Sequence, residues 1–369
     1  MKLLIFTGFS QISQSAAALA AACRAARQGQ RVLLASVGPA HLTGALLGQV
    51  LGPRPLELEP NLAAMEVKAV EELGARWDEV RPSLRSGLVA RLREIGPEEI
   101  PAFPGMDAIG GLLIAEKARQ TGRFDLVVLD GPPPDSFVRA LTLPDVLRWL
   151  TRLIFGLDRG AGRSRMSQEQ AIIPTALLAP TAVSPLQDLR VELEAQRSRL
   201  DAGTGTRVRL VVTPDELAFP PVRAALTALG LFNMAVDEVV VPGSLDAISA
   251  ELRAEFDPTL NVARPTLRAA MLPTSVAELA TWAERGAALY GDLPVYDAER
   301  APRPPHSDRE LKLFIPFLEA KDLEVALANE EVVVQIGPLR RHVLLPGIVN
   351  GGNLRAKVDP KEVLRLWVD

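Results

Sequence analysis

LLIFTGFSQISQSAAALAAACRAARQGQRVLLAS, Leu3 to Ser36, decides how the rest of the chain is read. Lys2–Phe6 is an apolar run of strand length, Ser15–Gln28 is an alanine-rich helix stopped by Gly29, and Arg31–Ser36 is a second strand. A strand, a tight turn and a helix are the setting of a phosphate loop. Such a loop needs glycines that turn backbone N–H groups inward, a lysine for the phosphate oxygens and a hydroxyl for Mg²⁺. The turn here is Gly8, Phe9, Ser10, Gln11, Ile12, Ser13, Gln14, Ser15, with one glycine and no lysine. On its residues alone it reads as a structural turn, with the Ser13 hydroxyl capping the helix. A helix N-terminus also attracts anions by geometry, which leaves a small-anion sensor as another reading.

Working outward, apolar runs alternate with helical patterns. Strands are expected at Leu62–Val67, Phe124–Gly131, Arg207–Pro214 and Val236–Val241. Helices are expected across Ala69–Glu94, Ser184–Leu200 and Ala218–Leu229. That alternation predicts an α/β fold, a mainly parallel sheet with helices on both faces. Gly156–Gln170 reads as a polar loop, and Asp292–Glu310, with four prolines and no periodicity, as a linker. After it come short apolar runs at regular spacing, the pattern of a small antiparallel β-sandwich. Its expected core is Leu313, Ile315, Val325, Val333, Leu344 and Leu366, with Arg340, Arg341 and His342 along an exposed strand. The expected domains are 1–291 and 310–369, joined by 292–309.

The 369 residues are 48% hydrophobic and 23% charged, a globular balance. Lys and Arg number 41 against 45 Asp and Glu, and aromatics make up 5%, so nothing points to a nucleic-acid partner. One cysteine, Cys23, excludes an intrachain disulfide and reads as a small buried hydrophobe; three scattered histidines show no metal-ligand spacing. Lys2 and the run ending at Cys23 imitate a lipoprotein signal, but the apolar stretch is only Leu3–Phe6, followed by polar Thr7–Ser15. No run reaches the ~18 apolar residues of a membrane span. A cytoplasmic location is the expectation.

At these motifs the chain resembles the ArsA/GET ATPases, whose loop reads G-K-G-G-V-G-K-[ST]. Gly8 and Ser15 match; Phe9 and Gln14 stand where the family has lysines. Ser36–Gly48, SVGPAHLTGALLG, is similar to the switch I segment S-x-D-P-A-H-x-L, with Pro39, Ala40 and His41 matching and Gly38 in place of the aspartate that orients water. Phe103–Ile114 resembles the P-G-x-x-E helix, with Asp107 near the acidic position. Phe124–Leu147 resembles the switch II region: Asp130, Pro133, Arg139, Leu143 and Pro144 match, while Pro134, Asp135 and Ser136 replace Thr-Gly-His. No asparagine follows Val236–Val241, where the family contacts adenine. Leu311–Val368 resembles the Hsp20-like domain appended to some members.

The resemblance implies a P-loop NTPase-like fold and dimerisation across nucleotide sites, with Mg-ATP as cofactor in active members. The substitutions argue against that chemistry. Hydrogen bonds to charged groups contribute ~1.5–3 kcal/mol each, so losing two lysines removes roughly 3–6 kcal/mol of phosphate binding. The expectation is therefore a non-hydrolysing relative that binds a protein client, with no catalytic residue, no metal and no required cofactor. Val146, Leu150, Leu153, Ile154 and Phe155 are candidates for a modest client groove or for ordinary core. The alternative is an active ATPase with a divergent loop that drives anion transport or membrane-protein targeting. Asp130 is expected close to Gly8 across the sheet.

Overall fold

The computed structural model describes residues 1–38, 41–83, 93–155, 195, 198–200, 205–259, 261, 264–297, 310–328, 331–343, 353–359 and 362–368. One sheet contains β1 (Lys2–Gly8), β2 (Val32–Ser36), β3 (Leu56–Glu59), β4 (Leu62–Glu66), β5 (Leu126–Asp130), β6 (Thr206–Val211), β7 (Val236–Pro242) and β8 (Thr266–Ala270). Their spatial order is β3-β4-β2-β5-β1-β6-β7-β8, and only β3 and β4 pair antiparallel. The central strands β2 and β5 are buried along their whole length, which is why they read as continuous apolar runs rather than alternating ones.

The helices are α1 (Gln11–Arg27), α2 (Leu42–Leu47), α3 (Ala69–Val80), α4 (Met106–Thr121), α5 (Pro134–Phe155), α6 (Pro220–Leu231), α7 (Ala250–Ala254) and α8 (Leu279–Tyr290). On one face of the sheet α1 and α8 cover Leu4, Phe6, Leu34 and Val128. On the other, residues of α4, α5 and α6 pack with Leu3, Ile5 and Leu129. The alanines of α1 keep it thin enough to lie between the sheet and α8. A Cβ added at Gly286 of α8 would come within 2.2 Å of the Ala20 carbonyl oxygen, so the two helices touch through their backbones. Cys23 is buried in that layer, and burial pushes its thiol up to about 12.

The C-terminal unit has strands β9 (Glu310–Phe314), β10 (Leu323–Ala328), β11 (Glu331–Ile336), β12 (Leu339–Val343), β13 (Leu354–Asp359) and β14 (Val363–Val368). They form two antiparallel sheets, β10-β11-β12 and β13-β14-β9. The unit is docked on α6. Gly230 lies so close to Phe314 and Ile315 that a Cβ there would be 2.7 Å from the Phe314 carbonyl oxygen. Thr227 Oγ1 donates to the Pro316 carbonyl at 2.8 Å, and Arg264 pairs with Glu362.

The structure corrects several boundaries. β1 runs two residues past Phe6, because Thr7 and Gly8 pair with Leu210 and Val211 of β6. Arg341 is not on an exposed strand face: it is buried and donates to the Leu231 carbonyl at 2.7 Å, part of the docking contact. In β11 the buried valines are Val332 and Val334, with Val333 on the other face. Leu313, Ile315 and Leu366 are buried as expected and Val325 partly so. Val295 and Tyr296, inside the proline-rich segment, are buried against the larger sheet's core. Leu344, residues 298–309, the loop at 156–170 and most of the helix expected at 184–200 lie outside the described residues.

Candidate functional site

The turn between β1 and α1 is two residues long, Phe9 and Ser10. Ser10 is the residue before the helix, in extended conformation, and its hydroxyl donates to Ser13 Oγ at 3.1 Å. The expected helix start at Ser13–Ser15, with Ser13 as cap, is therefore displaced: α1 begins at Gln11, and Ser13 lies in its first turn. The reason is local. Ser10, Gln11 and Ser13 stand where the resembling loop has glycines, and no residue from Gly8 to Ser15 has a positive φ. With no left-handed residue to open a loop, the helix extends toward the strand, and the Gln14 amide already donates to the Ser10 carbonyl at 3.0 Å. Gly8 is required for a different purpose, since a Cβ there would stand 2.5 Å from the Val211 carbonyl oxygen.

Asp130 ends β5, flanked by Phe6 of β1 and Ser36 of β2 in register. It is only 2% exposed. Gln14 Nε2 donates to Asp130 Oδ1 at 2.8 Å and to the Gly131 carbonyl at 2.5 Å. Oδ2 accepts from Ser15 Oγ at 2.6 Å, Thr43 Oγ1 at 2.9 Å and Ser36 Oγ at 3.3 Å. All these donors are neutral. Burial pushes the Asp130 carboxyl above its ordinary value, and the bonds from Ser15, Gln14, Thr43 and Ser36 oppose that rise. Gln14 Oε1, also buried, finds no donor among the described residues.

Of the residues singled out in the sequence, Gln14, Ser15 and Asp130 thus meet, and Gly8 lies at the same end of the sheet. Gly38 has φ 101°, a conformation that would strain an aspartate there. His41 is the residue before α2, at φ 42°, with a buried Nδ1 that has no partner among the described residues. Phe9 is 41% exposed. Asp135 does not join the cluster: it is exposed on the first turn of α5 and pairs with Arg139 at 3.3 Å. Asp107 lies in the first turn of α4, favourable for the helix dipole. Pro39 lies outside the described residues. Ser36 and Thr43 were missed, although both belong to the quoted switch-like segment, at a strand end and a helix start. No group of three metal-ligating side chains occurs among the described residues, and no helix there is long and apolar enough to cross a membrane.

A second buried polar group was also missed. Arg209 of β6 meets Asp237 at 3.3 Å and Glu238 at 2.9 Å, both on β7. Arg268 of β8 pairs with the other oxygen of Glu238, and Arg209 donates to Tyr290 Oη at 2.8 Å and to the Val295 carbonyl. Burial works against the Arg209 charge, but Asp237 and Glu238 more than offset it and hold its pKa above the ordinary value. The signal was in RVRLVV, a strand that buries arginines, beside DEVVV, a strand that buries acids.

Comparison with known proteins bears on this geometry. Residues 1–257 match the family profile described as anion-transporting ATPase, and residues 306–362 match that of an HSP20-like domain found in ArsA. Two relatives, from Prosthecochloris vibrioformis and Chlorobaculum tepidum, carry the name "Putative arsenical pump-driving ATPase". They are 27% and 26% identical over 380 residues, covering 95% of this chain and 92% of each relative. The arsenical pump-driving ATPase of Escherichia coli is 32% identical over 151 residues, 38% of this chain and 25% of that protein.

Proposed function

The chain belongs to the anion-transporting ATPase family, and on that premise we propose that it is a non-hydrolysing member that binds a protein client. The observation that carries this reading is the Asp130 cluster. In a working loop a lysine faces the phosphates from the position Gln14 holds, whereas Gln14 here donates to Asp130 and Gly131. The residues present do not fit a nucleotide triphosphate: the turn brings no cation, and the helix starts where a loop would wrap phosphate. Electrostatic stabilisation of the transferring group is most of phosphoryl-transfer chemistry, so its loss removes the reaction rather than slowing it slightly. A client surface is supported by α5, where Val146, Trp149 and Leu153 are exposed at helical spacing. The side chains of Leu150, Ile154 and Phe155 lie outside the described residues. The reading includes a homodimer, carried over from the family, and a cytoplasmic location, in keeping with the single cysteine.

One observation favours a second reading, an active ATPase with a divergent loop. Ser15 and Asp130, the pair that would hold Mg²⁺, are kept within 2.6 Å of each other, and the relatives are named ATPases. Purified protein assayed for phosphate release with Mg-ATP separates the two, with a parallel thermal melt. The non-hydrolysing reading expects no turnover above background and no shift in Tm at millimolar Mg-ATP. Reproducible turnover that vanishes in Asp130→Ala would overturn it. A shift with phosphate or sulfate alone would instead favour an anion sensor.

A further inference from the structure

The end of the sheet away from Gly8 carries a cavity that the proposed function does not use. It opens at the amino ends of β1 and β6, and five steps of β1 at ~3.3 Å place Leu3 about 17 Å from the turn at Gly8. Its volume is about 190 Å³, and Leu3, Ile109, Leu112, Leu141, Leu143 and Leu200 form the wall. Ala115 and Ala140 also line it, and their short side chains fill little of the space. Ile109, Leu112 and Leu200 pack against the core yet are only half-buried, so they keep apolar surface uncovered there. Covering such surface is favourable, and an apolar ligand of matching size would do so.

The polar groups at the mouth are already engaged. Glu116 takes both guanidinium groups of the lining, Arg119 at 2.6 Å and Arg199 at 2.9 Å. The bond from Arg119 holds the Glu116 carboxyl below the usual carboxylate range, so it is ionised at neutral pH. Thr206 Oγ1 donates to the Arg199 carbonyl at 3.1 Å. The other charge among the described lining residues is the α-ammonium of Met1. It lies close enough to Asp125 to add to the lowering that Arg31 imposes on that carboxyl. Each charge at the mouth therefore has an opposite charge beside it. An ionic ligand would lose hydration there and would have to compete for groups that are already paired. An uncharged one meets neither cost.

We propose that this cavity binds a small uncharged apolar molecule, a single ring with a short alkyl group, held between α4 and α5. An apolar cavity of about 150 Å³ takes up benzene, so this one has room for roughly eight carbon atoms. The claim is independent of whether the chain hydrolyses ATP or binds a client. It is tested on the full chain by calorimetric titration with benzene, toluene, ethylbenzene and butylbenzene, and with benzoate and benzylammonium as charged controls. Affinity should rise about fourfold per added carbon up to ethylbenzene, then level off as the cavity fills. Benzoate and benzylammonium should each bind about tenfold more weakly than toluene, because neither finds an unpaired charge. Leu112→Trp, checked by its ligand-free Tm, should abolish the binding. No binding at millimolar toluene would overturn the proposal. So would an affinity that rises at the same rate through butylbenzene, or that survives in folded Leu112→Trp, because either marks adsorption to the surface. Binding of either charged control as tight as that of toluene would overturn the assignment to an uncharged ligand. Should Leu112→Trp not fold, the size series in the wild-type protein decides alone.

Discussion

Two buried clusters of polar side chains stand on the same sheet and differ in the partners that satisfy their acids. At the end of β5, Asp130 is a single acid surrounded by neutral donors: an amide and three hydroxyls. Between β6, β7 and β8, Asp237 and Glu238 face Arg209 and Arg268, and the charge of Arg207 also acts on Asp237, so these acids are set against cations. Burial raises the pKa of Asp130 and, with the neighbouring Glu238, that of Asp237, whereas it is outweighed at Arg209, where the acids hold the charge in place. The difference teaches that a buried acid alone does not mark a site built for ionic chemistry. The balanced cluster is tied to structure: Arg209 also holds Val295 and Tyr290, which joins the end of the larger domain to its sheet.

The largest expected effect tests the balanced cluster. Arg209→Ala leaves Asp237 and Glu238 buried without their central partner and should cost about 3–5 kcal/mol, read from urea unfolding as a drop in midpoint at constant slope. A loss under about 1 kcal/mol would show that Arg207 and Arg268 satisfy the two acids without Arg209 and would remove the contrast.

Asp130→Asn keeps the shape and should cost no more than about 1–2 kcal/mol at neutral pH, since the lost bonds come from neutral groups. Its pH dependence sharpens the comparison. The folded-state pKa of Asp130 is raised, so the folded chain holds that proton more tightly than the unfolded one. The cost of burying the charge is fully present above the folded value and is relieved as pH falls toward the unfolded value of about 3.9. The stability of the wild-type chain relative to Asp130→Asn should therefore rise on acidification across that window. A difference that fell instead would mean that the four donors outweigh burial.

The smallest effect is at Asp135. It stands in the switch-like segment but is exposed beside Arg139, so Asp135→Ala should change stability by less than about 0.5 kcal/mol. A larger loss would bring Asp135 back toward the site.

Much of the fold was legible because its signals are local. Strand-length apolar runs marked β1, β2, β5, β6 and β7, and the alanine run marked α1. β8 and α8 went unread: TLRAA is half-buried and lacks an apolar run, and in α8 the buried Trp282, Leu289 and Tyr290 are separated by alanines, charged residues and Gly286. In β11, three valines in succession offer both faces equally, so alternation could not choose between Val333 and its neighbours. The pairing with β10 and β12 made that choice. At the site, Gln14, Ser15 and Asp130 were named because they fill motif positions. Ser36 and Thr43 were not, because their role depends on a carboxylate far along the chain.

By itself the sequence determined the αβ alternation, the change of texture after the proline-rich segment, and the absence of lysine from Gly8–Ser15. Each is a matter of residue identity and spacing over a few positions, where backbone propensity and side-chain charge act directly. The tertiary structure alone decided that Gln14 is turned onto Asp130, that Arg209 is neutralised from β7, and that Arg341 is buried against Leu231. Those outcomes join residues 116, 28 and 110 positions apart. A buried polar group is stable only with its partner in reach, and strand order and helix docking, not local pattern, bring such partners together.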